Sequence, residues 1–200
     1  MDAKTQKSEL TRAAIVGAAM DVASAEGLEA ITLQAVATRL GLSKSGVFSR
    51  VGSREALQKA VIEEFGRRFL ADVFVPAMQK PKGFARLNDI VERWIARMRE
   101  VEIETGCIYT AGAFELDDRE GELRDLLLDE VTRWRAALRR TVAQAVETGE
   151  LKADTDPAQL VSEINGLVMA LLHDARFLRD PRAADRAALT WQRLAASYRA

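Results

Sequence analysis

The sequence predicts an all-α fold of about nine helices, and three observations carry that expectation. Apolar residues recur at steps of three and four along most of the chain. No β-branched run alternates with period two. Gly and Pro are sparse, at 12 and 4 of 200 residues, while Ala, Leu, Arg and Glu dominate. With 48% hydrophobic residues the chain can bury a core, as one large domain or two small ones.

Residues up to about Gln6 read as a flexible tail. Helix one is expected from Ser8 to about Glu26, on the stripe Ile15, Ala18, Ala19 and Val22, with Gly27 as its breaker. Leu28, Ala30 and Ile31 form an apolar link. Thr32 caps helix two, where Leu33, Val36, Ala37 and Leu40 share a face. Gly41 suits the positive φ of a sharp turn, and Leu42 is an apolar plug there. Ser43 caps a second short helix, Lys44 to Arg50, whose Val47 and Val51 face inward. Small Ala37 lets the two helices cross closely.

Ser53 opens helix four, about Arg54 to Ala77, with Glu55 in its first turn. Its apolar residues are Leu57, Val61, Ile62, Phe65, Phe69 and Val73. Pro76, Pro81 and Gly83 make the clearest break. The next helix, Phe84 to about Glu104, has Leu87, Val91, Trp94, Met98 and Val101 at steps of four and three. A short apolar segment, Cys107 to Leu116, precedes an acidic turn ending at Gly121. A long helix from Glu122 to Thr148 follows, on Leu127, Val131, Trp134, Leu138, Val142 and Ala145. Asp156 and Pro157 open the next, with Leu160, Ile164, Leu167, Val168, Leu171 and Leu172 on a broad apolar face. Pro181 starts the last, with Ala187, Trp191, Leu194, Ala195 and Tyr198 on one side.

The stretch Thr32 to Leu57, TLQAVATRLGLSKSGVFSRVGSREAL, reads as a helix-turn-helix whose second helix enters a DNA major groove. Lys44, Ser45, Phe48, Ser49 and Arg50 are left facing solvent. An ordinary αα-corner with a solvated basic face fits the same spacing. Net charge is −1, but residues 1–60 hold 8 Lys and Arg against 6 Asp and Glu, which permits a local basic face.

One cysteine rules out an intramolecular disulfide and fits a reducing compartment. No stretch approaches about 18 uninterrupted apolar residues, and MDAKTQKSEL has no apolar signal core, so a cytoplasmic protein without membrane contact is expected. No Gly-rich phosphate loop, Ser–His–Asp set or HExxH is present, and the residue three before His173 is Ala170 rather than Glu. An enzyme, a cofactor and a metal site are therefore not expected. The acidic residues Glu115, Asp117, Asp118 and Glu120 read as a solvated loop rather than a cation site. A helical interaction protein that does not bind DNA is the rival class; it would lack the steep salt dependence of a DNA binder.

Over residues 10–60 the chain resembles the tetracycline-repressor-like (TetR) family of transcriptional regulators. The resemblance rests on the first helix, Ala13 to Gly27, and on ITLQAVATRLGLSKSGVFSRVGSREAL. It implies an N-terminal three-helix DNA-binding domain (residues 1–53), a connecting helix (54–77) and a helical effector-binding and dimerisation domain (78–200). The family binds palindromic operators as homodimers, and most members are repressors released by a small molecule. Thr32, Ser43, Lys44, Ser45, Gly46, Phe48, Ser49, Arg50 and Arg54 become the expected DNA-binding residues. Thr32 and Arg54 are placed at helix N-termini facing phosphate, and Lys44, Ser45, Ser49 and Arg50 toward base edges. Many members carry Tyr where Phe48 stands, and Phe48 lacks the hydroxyl that reaches phosphate. Arg54 stands where Lys is common.

The final two helices are expected to pair between subunits. Trp94, Met98, Cys107, Tyr109, Phe114, Trp134 and His173 are the residues expected around an apolar or aromatic effector, although aromatics and Met at helical spacing are more often plain core. Nothing near Cys107 in sequence predicts a lowered thiol pKa.

Overall fold

A computed structural model describes residues 3–200, with side chains described from residue 8 onward. Nine helices are formed among the described residues. α1 is Ala3–Glu26, α2 Leu33–Leu40 and α3 Lys44–Val51. α4 is Arg54–Phe69, continued by a π turn, Leu70–Phe74, and Val75–Ala77. α5 is Phe84–Arg97, continued by a π turn, Met98–Glu102, and Ile103–Thr105. α6 is Ile108–Glu115 and α7 Glu122–Glu147. α8 is Pro157–Leu172 with a terminal π turn, His173–Phe177, and α9 is Ala183–Tyr198. A 3₁₀ turn, Leu28–Ala30, links α1 to α2. Among the described residues the sole β feature is a single bridge between Leu151 and Arg199.

Two expected boundaries move. α1 begins at Ala3, within the expected tail, because AKTQK consists of helix-compatible residues with no breaker. α9 begins at Ala183 rather than Pro181; Pro181 lies in a turn, and the Asp180 carboxylate accepts from the Arg182 N–H at 2.9 Å.

The chain divides into two compact units. One comprises residues up to Arg67 together with Cys107–Asp129; the other comprises Arg68–Gly106 and Glu130–Ala200. The first unit's core joins Ile15, Ala19 and Val22 of α1, Leu28 and Ile31 of the link, and Val36, Ala37 and Val47 of the two short helices. Leu57, Val61 and Ile62 of α4 complete it with Ile108, Leu116 and Leu127. α6 lies close against this core. A Cβ on Gly112 would meet Leu28 Cδ1 at 2.8 Å and Leu127 Cδ2 at 3.0 Å, so position 112 accepts little beyond hydrogen.

The second unit is built on α8, whose Leu160, Val161, Ile164, Leu167, Val168, Leu171 and Leu172 are all buried. Trp191 of α9 is 1% exposed, and its Nε1–H donates to Asn88 Oδ1 at 2.9 Å. The Glu150 carboxylate accepts from the Phe84 N–H at 2.8 Å and so caps α5. That backbone bond, with the Thr148 hydroxyl, holds its pKa below the ordinary carboxylate value.

The π turns explain where helical periodicity misleads. Pro76 has no N–H to give and its ring crowds the preceding turn, and the wide turn just before it relieves both conflicts. In α5 the extra residue in Met98–Glu102 rotates the following face. Val101, expected inside, is 40% exposed, while Glu102 is fully buried. Its Oε1 accepts from Arg97 Nε at 3.0 Å, and Arg97 also pairs with Asp72 of the first π turn. Arg176 of the third donates to the carbonyls of Ile103 and Glu104 at 2.9 and 3.0 Å, closing the end of α5.

Candidate nucleic-acid interface

Local chemistry builds the α2–α3 pair. The Thr32 hydroxyl accepts from the Ala35 N–H at 3.0 Å and starts α2. Gly41 ends it in the left-handed region, at φ 64°. The Leu42 N–H then reaches back to the Ala37 carbonyl at 2.9 Å. Ser43 Oγ accepts from the Gly46 N–H at 3.0 Å and lies 3.1 Å from Ser45 Oγ, which starts α3. Val47 is fully buried and Val51 half-buried, so α3 is seated on a single complete plug. Leu42, expected as a second plug, is 40% exposed, since the left-handed residue before it turns its side chain outward.

The opposite face of α3 is open. Lys44, Ser45, Phe48, Ser49 and Arg50 are all exposed, Phe48 by 56%. Ser49 Oγ donates to the Gly46 carbonyl at 2.9 Å, leaving its lone pairs toward solvent. Arg50 donates from Nη1 to Ser8 Oγ at 2.7 Å. This tether from α1 is invisible to spacing arguments because 42 residues separate the partners. A Cβ on Gly46 would stand 3.0 Å from Ser43 Oγ, so glycine there keeps the cap uncrowded.

Arg54 stands at the start of α4 and makes contacts that spacing does not give. Its guanidinium turns inward, with Nε donating to the Ile31 carbonyl at 2.8 Å and Nη2 to the Glu29 carbonyl at 2.7 Å. Nη2 also lies 3.3 Å from the Glu29 carboxylate. Glu55, by contrast, is at the surface; its own backbone N–H and the Ser53 hydroxyl hold its carboxyl below the ordinary value. Glu115, expected in a solvated loop, is instead the last residue of α6, and its two oxygens accept from the Leu28 and Glu29 N–H groups. No cluster of metal-ligating residues occurs among the described residues.

The expected effector residues separate. Trp94 and Trp134 meet edge to face at 5.2 Å, and Phe69 and Phe74 complete a cluster with Trp134 at 4.7 and 6.1 Å. Met98, in the same unit, is fully buried. The Trp134 indole N–H is buried and has no hydrogen-bond partner. Cys107 and Tyr109 belong to the first unit, where the Tyr109 hydroxyl donates to the Ile62 carbonyl and its ring lies 4.7 Å from Phe65. Phe114 is 63% exposed, on the outer side of α6, because Gly112 and Leu116 take the inner one. His173 is exposed on α8, beside Phe177 at 5.4 Å. These two therefore lie outside the buried aromatic cluster.

Two family models match the chain. One, described as bacterial regulatory proteins of the tetR family, covers residues 15–61; the other, the tetracyclin repressor-like C-terminal domain, covers 83–191. Among solved structures, the chain is similar to a TetR-family transcriptional regulator from Cytophaga hutchinsonii, with 18% identity, 96% of each chain covered and a TM-score of 0.80. A TetR transcriptional regulator from Chloroflexus aurantiacus J-10-FL gives 20% identity, 96% and 95% coverage and a TM-score of 0.80. The ketosteroid transcriptional regulator KstR2 of Mycobacterium tuberculosis gives 15% identity, 95% coverage of both and a TM-score of 0.73. At such identities the likeness speaks for the fold. No curated protein sequence matches the chain.

Proposed function

The chain belongs to the TetR family of DNA-binding, non-enzymatic transcriptional regulators, and from that premise we propose that it is a homodimeric repressor of a palindromic operator, released by a small apolar or aromatic molecule. The observation that carries the DNA-reading part is the open face of α3, where two cations and two hydroxyls stand over one buried valine. Lys44 and Arg50 are the cationic contacts, Thr32, Ser43, Ser45 and Ser49 supply hydroxyls at phosphate or base edges, and Gly46 permits close approach. Phe48 offers apolar contact, as to a thymine methyl. Arg54 acts by holding the α1–α2 link rather than by touching phosphate. The protein acts in the cytoplasm, where its DNA target lies.

The exposed side of α8 supports a dimer. Gly166, the adjacent pair Met169 and Ala170, His173 and Phe177 lie three or four residues apart along one side, with Phe177 77% exposed and Met169 44%. A soluble chain covers such a stripe, and a second copy does so symmetrically. The Trp94–Trp134 cluster with its unpaired indole N–H favours an effector that is aromatic and carries one acceptor atom.

Selection of bound fragments from genomic DNA, followed by fluorescence anisotropy at fixed salt, tests this reading. A palindromic site should emerge, and Arg50→Ala should weaken it by roughly 1–3 kcal/mol with the fold intact. Failure to enrich any sequence, or affinity indifferent to salt, would refute it.

A further inference from the structure

The 3₁₀ turn Leu28–Ala30 is three residues long, yet side chains from distant elements take most of the polar backbone groups around it. Glu115 accepts from the Leu28 N–H at 2.8 Å and from the Glu29 N–H at 2.7 Å. Gln58 Nε2 donates to the Leu28 carbonyl at 2.8 Å. Arg54 holds the Glu29 and Ile31 carbonyls, and both Arg54 and Arg119 lie 3.3 Å from the Glu29 carboxylate. The first N–H groups of a helical turn need an acceptor, ordinarily the side chain of the N-cap residue. Here the N-cap is Gly27, which has no side chain, and a carboxylate from 87 residues downstream takes that place. Gly27 also makes the room. Its φ is 96°, and a Cβ there would stand 2.9 Å from Glu115 Oε2.

We propose that Glu115 is a positioning residue for DNA reading: by pinning the Leu28–Ala30 turn it fixes the start of α2 and, through α2, the placement of α3. The path is short. Ile31 alone separates the turn from Thr32, whose hydroxyl starts α2. The bond from Leu42 N–H to the Ala37 carbonyl and the packing of Val47 against the core then tie α3 to α2. Glu115 lies inside the C-terminal family match and outside the N-terminal one, so the DNA-reading unit of this chain is completed by a residue beyond the domain that names it. Gly112, three residues before it, sets α6 against Leu28 closely enough for the carboxylate to reach.

The inference rests on the DNA-binding reading, so wild-type binding to the selected operator is measured first. If the wild type binds no DNA, that reading fails and this one falls with it. The test uses the full-length protein carrying Glu115→Ala, Glu115→Gln or the control Asp118→Ala. Anisotropy is read on the operator and on a scrambled duplex at fixed salt, with thermal melts and light scattering alongside. Glu115→Ala should lose operator affinity by about tenfold or more, which is about 1.4 kcal/mol or more, while affinity for the scrambled duplex stays within about twofold. Glu115→Gln keeps one acceptor oxygen and should fall between, and Asp118→Ala should match the wild type. Operator affinity within about twofold of wild type in Glu115→Ala overturns the proposal. So does equal loss on both duplexes in step with the unfolded fraction, which would mark a structural role only. Should Glu115→Ala fail to fold, the ratio between the two duplexes in Glu115→Gln decides on the same terms.

Discussion

α3 and α8 are both helices with a capped start, yet they are held in opposite ways. α3 has eight residues, of which one is fully buried and five are exposed. α8 has sixteen in its regular part, and seven apolar side chains are buried. Eight residues are too few to hold a helix in water unaided. α3 therefore depends on local devices: the left-handed Gly41, the Ser43 cap and the Val47 plug. α8 depends on burial along its length. A helix fixed at its ends and by one plug keeps most of its side chains for another molecule. A helix fixed by burial leaves one stripe. Stability and recognition should thus respond to different substitutions in the two helices.

The largest expected effect belongs to α8. Ile164 is fully buried, and Ile164→Ala removes that side chain and leaves a cavity. Chemical unfolding should show a loss of about 2–5 kcal/mol. A loss under about 1 kcal/mol would mean that α8 is not the burial-held helix it is taken for.

Gly41→Ala probes the turn that starts α3. Nothing lies within 4 Å of the added Cβ, so any cost comes from the backbone alone. An L-residue at φ 64° costs roughly 1–2 kcal/mol, and the melting temperature should fall accordingly. An unchanged melting temperature would show that the turn is not held in the left-handed region in solution.

The same contrast marks what was legible in the sequence. Thr32, Gly41, Ser43 and Asp156 could be read directly, because caps and turns are made by residues within three positions of one another. The stripes of α4 and α8 were legible from their period, and so was the all-α class. Val101 and Glu102 exchanged places because a π turn shifts the period, and no residue in Met98–Glu102 announces one. The partners of Arg54, Arg50 and Glu115 could not be read from spacing because they lie 23 to 87 residues away. Phe114 and His173 were chosen by residue type, which does not say that both lie on exposed helix faces.

The smallest expected effect on stability is also the sharpest test of the contrast. Ser43→Ala removes the oxygen that accepts from the Gly46 N–H and should cost about 1 kcal/mol, read by thermal unfolding. Ser43→Asp replaces that oxygen with another good cap, and its charge suits the positive end of the helix, so stability should return to near the wild-type value. On DNA the order of the two variants should reverse. Ser43→Ala loses one hydroxyl contact and should bind the operator more weakly than wild type, whereas Ser43→Asp brings a negative charge toward the phosphates and should bind worst of the three. The opposite rankings would separate what Ser43 does for α3 from what α3 does for DNA. If Ser43→Asp binds the operator as tightly as wild type, the N-terminal end of α3 does not approach the DNA backbone, and the reading face must be sought further along, toward Ser49 and Arg50.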